Sequence, residues 1–257
     1  MANKKNKIKP PPLSEVAYQK IKEFIITLKL GSGKQVDEVL MAQKLSIGRT
    51  PIREALFRLN AENLVEVLPG RGFFVREITL SSLRDLFESM LILERSAVAL
   101  AARRIKPDQI ENLRKINSDL RRAWLENKFF RVTLLNSRFH RTIYQAAQNA
   151  LLRSYLDNLQ NQSQRLAYIC FSKDLSTYDM QSHAKLAIKD HDSLIELFKQ
   201  GNDIEALKVI SEHVKLFQRR VNHFMMPSLD ILDAVTPLQE AHNLTYSKDA
   251  QPFASWK

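Results

Sequence analysis

Apolar residues recur at helical spacing from Leu13 onward, at Val16, Ile21, Phe24, Ile25 and Leu28, until Gly31 and Gly33 break the pattern. Two short helices are predicted next, over residues 37–45 and 49–63, joined by the tight Ser46-Ile47-Gly48 connection. Residues 64–68 and 73–78 are rich in β-branched and aromatic side chains and flank Pro69-Gly70-Arg71-Gly72, the signature of a hairpin. Helix, turn, helix and hairpin in that order outline a winged helix-turn-helix over residues 13–78. After Thr79 the texture changes. Six amphipathic stretches follow, near 81–104, 107–126, 128–147, 150–171, 182–200 and 203–224, with breaks at Pro107, Asn127, Asn149, the polar residues 172–180 and Gly201-Asn202. Their lengths predict an all-α antiparallel six-helix bundle with short loops over residues 81–224, so the whole chain reads as mostly α. Residues 1–12 read as a disordered basic arm, and residues 225–257 as a loosely held tail.

Composition narrows the partner. The 257 residues carry a formal net charge of +11, which favours a polyanion such as nucleic acid. A single cysteine, Cys170, excludes an intramolecular disulfide framework and a cysteine-based zinc site. The basic start runs into Pro10-Pro11-Pro12 and not into an apolar segment, unlike a secretory signal. No apolar run is long enough to span a bilayer, so a membrane partner is not expected and the cytoplasm is the expected compartment.

The second helix of the predicted reading head begins with cations. Arg49 and Arg53 lie four residues apart on one face of its first turns, where a recognition helix enters the major groove. Arginine can grip guanine with two parallel hydrogen bonds, or hold phosphate. Thr50 adds a hydroxyl between them, and Pro51 is tolerated because the first turn has no internal N–H bond to lose. On the opposite side Ile52, Leu56 and Leu59 form an anchoring stripe. The glycine tip offers backbone N–H groups at Gly70 and a cation at Arg71 for sugar-phosphate or minor-groove contact.

The run Arg49-Thr50-Pro51-Ile52-Arg53-Glu54-Ala55-Leu56, followed by Pro69-Gly70-Arg71-Gly72-Phe73-Phe74-Val75, resembles the DNA-binding domain of the GntR family over about residues 14–76. The resemblance implies operator contacts from Arg49, Thr50, Arg53 and Gly70. It also marks two departures. Gly48 stands where Ser or Thr usually caps the recognition helix, and Val39 stands at a position that is often arginine.

Three of the later helices each direct a histidine into an apolar stripe. His140 shares its helix with Val132, Leu135, Phe139, Ile143 and Ala146, and Asn136 lies four residues before it. His191 sits within Ala184, Ile188, Ile195 and Phe198, and His213 within Ala206, Ile210, Phe217 and Val221. One such histidine is ordinarily a hydrogen-bonded core residue. Three in one core need something to satisfy their nitrogens, and a divalent transition metal does so directly. His183 and His223 read as surface residues.

The Leu86–Glu94 segment, the Phe139-His140 pair and Lys189-Asp190-His191 are similar to the FCD effector domain of the FadR branch of the GntR family. That resemblance implies a metal, zinc or nickel, held by His140, His191, His213 and the residue at Asn136. The last is an aspartate in metal-binding relatives, so an amide there implies weaker binding. Relatives commonly bind small carboxylates at the open metal positions with help from arginines. Arg165 is the candidate here, whereas Met90 replaces an arginine that relatives often place in the pocket, which leaves room for a larger or less charged effector.

The expected function is a sequence-specific regulator, a homodimer on a pseudo-palindromic double-stranded operator, whose affinity a small-molecule effector alters. Two other readings stay open at this point. A three-histidine centre could activate water in a metal-dependent hydrolase, although no general base accompanies it, since Asp190 and Asp192 should point away from His191. A non-specific architectural DNA binder would explain the basic charge but not a large helical domain.

Overall fold

The computed structural model describes residues 10–172 and 178–225, the side chains of 178–181 excepted. The proposed arm, apart from residues 10–12, and the tail beyond Met225 lie outside these residues.

The head opens with α1 (Leu13–Ile26), which the apolar spacing predicted, and which buries Ala17, Ile21 and Ile25. Asp37 starts α2 (Glu38–Leu45) by accepting hydrogen bonds from the Val39 and Leu40 N–H groups, at 2.8 and 3.0 Å. Ser46, in the left-handed region at φ 54°, turns the chain toward α3 (Arg49–Ala61). Two strands follow, β2 (Val65–Leu68) and β3 (Gly72–Val75), paired antiparallel with Val65 opposite Val75 and Leu68 opposite Gly72. A short strand that periodicity did not predict, β1 (Gln35–Val36), pairs with the other edge of β3 and gives the sheet order β1-β3-β2. Two residues are too few to display alternation, which is why β1 escapes a pattern search. Leu56, Leu59, Leu64, Val65 and Val75, all fully buried, close the head's core under this sheet.

The bundle comprises α4 (Leu80–Arg104), α5 (Pro107–Leu125), α6 (Phe129–Ala146), α7 (Ala150–Ser172), α8 (Tyr178–Gln200) and α9 (Asp203–Met225). Thr79 and Ser82 form a reciprocal capping box at the start of α4, and Pro107 sits at the first turn of α5. Asn127, Gln148 and Gly201 adopt positive φ where helices end. The helices pack as a closed ring in the order α4, α9, α8, α5, α6, α7. Phe139, Ile143, Leu156, Leu194 and Ile210 fill its centre with essentially no exposed surface. No helix among the described residues is long and apolar enough to cross a membrane.

Candidate functional site: a basic reading head and a buried histidine centre

On α3 the stripe Ile52, Leu56 and Leu59 is fully buried, and this fixes which face remains free. Arg49, Thr50 and Arg53 are all exposed on that free face. The Arg53 guanidinium lies over the Phe57 ring at 5.9 Å, with Nε 3.9 Å from a Glu38 carboxylate oxygen, so no close bond engages it. Gly48 is the N-cap and, lacking a side chain, leaves the helix without a side-chain cap. Val39 is exposed nearby on α2.

The wing tip is a tight turn closed by the Arg71 N–H donating to the Leu68 carbonyl at 3.0 Å. Gly70, third of its four residues, has φ +70°, as a type II turn after Pro69 requires. A Cβ there would meet nothing within 4 Å, so the backbone angle and not crowding explains the glycine. Gln35 Nε2 donates to the Arg71 carbonyl at 2.8 Å and ties the tip to β1. Arg71 itself is exposed, with its guanidinium 5.2 Å from the Phe74 ring centre.

The three predicted histidines meet. One ring nitrogen each from His140, His191 and His213 lie within 4.8 Å of one another, and all three residues are buried. Phe139 stacks on His191 at 3.9 Å between ring centres and forms one wall. Each Nδ1 faces an oxygen acceptor. His191 Nδ1 is 3.1 Å from Asn117 Oδ1, and His213 Nδ1 is 3.2 Å from Asp190 Oδ2. His140 Nδ1 is 3.4 Å from Glu94 Oε1, near but without hydrogen-bond geometry. Asn117 is itself held, because its Nδ2 donates to the Ile188 carbonyl and to Asp192. Oxygens behind the Nδ1 atoms leave the Nε2 atoms for the centre, and His191 Nε2 is buried with no hydrogen-bond partner. Burial, then repulsion from His213 and His140, holds the His191 pKa well below the usual histidine value, so its ring stays neutral. Neutral imidazoles with a donor backed by carboxylate or amide are what a divalent metal ion requires. Asp190 and Asp192 indeed face other partners than His191.

Beside the histidines lies a partly enclosed cavity. His140, His213, Asn136, Gln164, Met90 and Phe217 are among the residues that line it. Two sequence expectations change here. His183 is not on the surface: it is buried on the cavity side of α8 (Tyr178–Gln200), four residues before Ala187 and eight before His191. His223 is exposed, as expected. Arg165 is not brought to the cavity. It lies one helical step round from Gln164, buried, with Nη1 donating to the Arg76 carbonyl at the end of the wing, at 2.7 Å. Burial pushes its pKa down to about 10.

Arg165 belongs to a junction that the sequence did not announce. Along α7, residues 158, 161 and 165 face the head, while 160, 163, 164 and 167 line the cavity. Asn158 Oδ1 accepts from Asn63, just after α3, at 3.1 Å. Asn161 Oδ1 accepts from Lys22 Nζ of α1 at 2.8 Å. The buried Lys22 ammonium also donates to Tyr18 and to Glu62, the residue that ends α3, each at 2.9 Å. Its pKa is lowered by burial, which the Glu62 carboxylate opposes. From α6, Arg141 donates to the same Asn161 oxygen at 2.6 Å.

The profile of the gntR family of bacterial regulatory proteins matches residues 13–75, and the FCD domain profile matches residues 85–216. The chain is 42% identical over 82 residues to the Nta operon transcriptional regulator of Aminobacter aminovorans, a match spanning 32% of this chain and 39% of that one. It is 21% identical to the HTH-type transcriptional repressor RspR of Escherichia coli, over 85% of this chain and 93% of that one. Among solved structures, E. coli McbR/YncC superposes with a TM-score of 0.66 at 20% identity, covering 83% of this chain and all of that one, a likeness of fold.

Proposed function

This chain belongs to the GntR family of bacterial regulatory proteins, carries an FCD domain and is a transcription regulator and not an enzyme; from that premise we propose that a small molecule, held at a metal ion among its three histidines, sets its affinity for an operator. Arg49, Thr50 and Arg53 enter the major groove from the free face of α3, while Gly70 and Arg71 follow the sugar-phosphate edge. A homodimer places two such heads on a pseudo-palindrome.

His140, His191 and His213 hold the ion, zinc or nickel, and Asn136 at the cavity wall is the weaker fourth donor. Such an ion supplies open coordination positions for a ligand's lone pairs. The effector occupies the cavity with its metal-binding end at the histidines and an apolar part against Met90 and Phe217. Arg165, turned to the wing, is not its carboxylate partner.

The observation that carries this reading is the double use of α7: one stripe walls the cavity and the adjacent stripe holds α1, the end of α3 and the end of the wing. A ligand that moves the first stripe moves the second, and so biases where the heads stand. The test is fluorescence anisotropy of the full-length protein on DNA from upstream of its own gene, zinc-loaded and chelator-treated, with and without small carboxylates and alcohols. Operator affinity is expected to change by roughly 5- to 150-fold between some pair of these conditions. Identical isotherms throughout would sink the regulatory reading, and equal affinity for random DNA would sink the operator.

A further inference from the structure

Glu94 is the most deeply buried charged side chain in the molecule's described part, with no exposed surface. It occupies the core-facing stripe of α4 with Met90, Ala97 and Ala101. The Tyr144 hydroxyl donates to its Oε1, which also lies 3.4 Å from His140 Nδ1. Its Oε2 has no hydrogen-bond partner, and among the described residues no lysine or arginine pairs with it. Burial and the neighbouring carboxylate raise the Tyr144 pKa well above its ordinary value, so the phenol remains a donor. A carboxylate buried this way costs several kcal/mol unless a positive charge compensates it.

The histidine centre has the complementary deficit. Neither an imidazole nor the Asn136 amide carries a negative charge, so a divalent cation bound there meets none in direct contact. Two carboxylates stand behind the rings, Asp190 hydrogen-bonded to His213 Nδ1 at 3.2 Å and Glu94 at 3.4 Å from His140 Nδ1. Asp190 is about a quarter exposed, whereas Glu94 is wholly enclosed, so the field of Glu94 is the less screened.

Resting on the metal reading above, we propose that Glu94, steadied by Tyr144, is a positioning residue of the histidine centre: when the ion binds it closes the 3.4 Å gap to accept the His140 Nδ1–H, turns Nε2 toward the ion and supplies the negative charge that Asn136 does not. In the absence of metal the same side chain is buried with no cation paired to it among the described residues, and its Oε2 has no hydrogen-bond partner. Occupancy of the centre is therefore felt on α4, the helix that continues directly from the reading head.

The experiment uses the full-length protein with zinc or cobalt alone as the probe. Zinc affinity is measured by competition with a chelating dye, geometry by the visible absorption of cobalt, and stability by thermal melting with and without zinc. Glu94→Gln is expected to lose about 10- to 100-fold in zinc affinity. Its metal-free form should melt at or above the wild-type temperature, while the rise on adding zinc shrinks. Adding Asn136→Asp to Glu94→Gln moves the charge into direct contact and should recover most of the affinity, which a merely structural role for Glu94 does not predict. Tyr144→Phe, which keeps the charge and loosens its tether, should lose less than Glu94→Gln. Wild-type zinc affinity in a folded Glu94→Gln protein, or no recovery from Asn136→Asp, overturns the assignment of Glu94. Failure of the wild-type protein to bind zinc or cobalt overturns the metal reading itself, a separate result. If Glu94→Gln does not fold, Tyr144→Phe with unchanged affinity and cobalt spectrum is the overturning result.

Discussion

The reading head and the helical bundle handle polar groups in opposite ways. The head keeps its cations outside: Arg49, Arg53 and Arg71 are exposed, and beneath them Ile52, Leu56 and Leu59 make a dry core. Among the described residues, no buried side-chain atom of the head lacks a hydrogen bond. The bundle does the reverse. It encloses Glu94, three histidines and Gln164, and leaves Glu94 Oε2, His191 Nε2 and Gln164 Oε1 without partners. An exposed cation waits for a polyanion at no cost to folding. A buried, unpartnered polar atom costs stability that only a bound group offsets. The first arrangement suits a surface that always reads, the second a core that senses.

That contrast predicts which measurement each substitution moves. The largest effect belongs to Phe139→Ala, which removes the wall stacked on His191 at the centre of the bundle. A loss of about 3–5 kcal/mol in stability is expected, read by calorimetry as a lowered melting temperature. A melting curve like the wild type's would mean that Phe139 does not support the centre. Arg53→Ala sits at the other pole. It should weaken operator binding by about 1–3 kcal/mol and leave melting alone, and the loss should be smaller on random DNA. Equal losses on both DNAs would make Arg53 a phosphate contact and not a base reader.

Asn161→Leu tests the seam between the regions. It removes the acceptor that ties Lys22 to α7, while Tyr18 and Glu62 still hold the ammonium. A stability loss on the order of 1 kcal/mol is expected. The informative readout is the ratio of operator affinities with and without zinc, which should shrink toward unity. An unchanged ratio would show that the two stripes of α7 act independently.

What the sequence made legible follows the same division. Elements with long amphipathic runs were readable: all six bundle helices and α1 stand close to where periodicity put them, because burial of one face dictates both pattern and helix. The three histidines were readable because each interrupts such a stripe. Glu94 interrupts the α4 stripe in the same manner, and a search for any ionisable residue in an apolar stripe finds it. His183 and Arg165 were misplaced for a different reason. Arg165 turns on a single 100° step around α7, below the resolution of periodicity, whereas His183 shares one face of the predicted helix with Ala187 and His191 at steps of four, a phase that an isolated polar residue near a helix start does not advertise. The Lys22–Asn161 bond spans 139 residues in sequence, and nothing local encodes it.

The smallest predicted effect asks whether the head alone can be tuned. Gly48 caps α3 with backbone only, so the first N–H groups of that helix have no side-chain acceptor. Gly48 has φ −59° and ψ 158°, an extended conformation open to any residue, and a Cβ there would meet only Pro51 Cδ at 3.8 Å. Serine therefore fits without strain, and its hydroxyl can accept from an N–H two or three residues on. Because glycine is itself a tolerable cap, Gly48→Ser should gain only a few tenths of a kcal/mol in stability. The same exposed hydroxyl stands beside Arg49 and Thr50, where a phosphate would lie, so affinity should rise modestly for operator and random DNA alike. Since the position touches neither α7 nor the cavity, the zinc-linked affinity ratio should stay constant. A changed ratio would mean that the cap of the recognition helix feels the histidine centre directly, and that the head is less independent of the bundle than its dry core suggests.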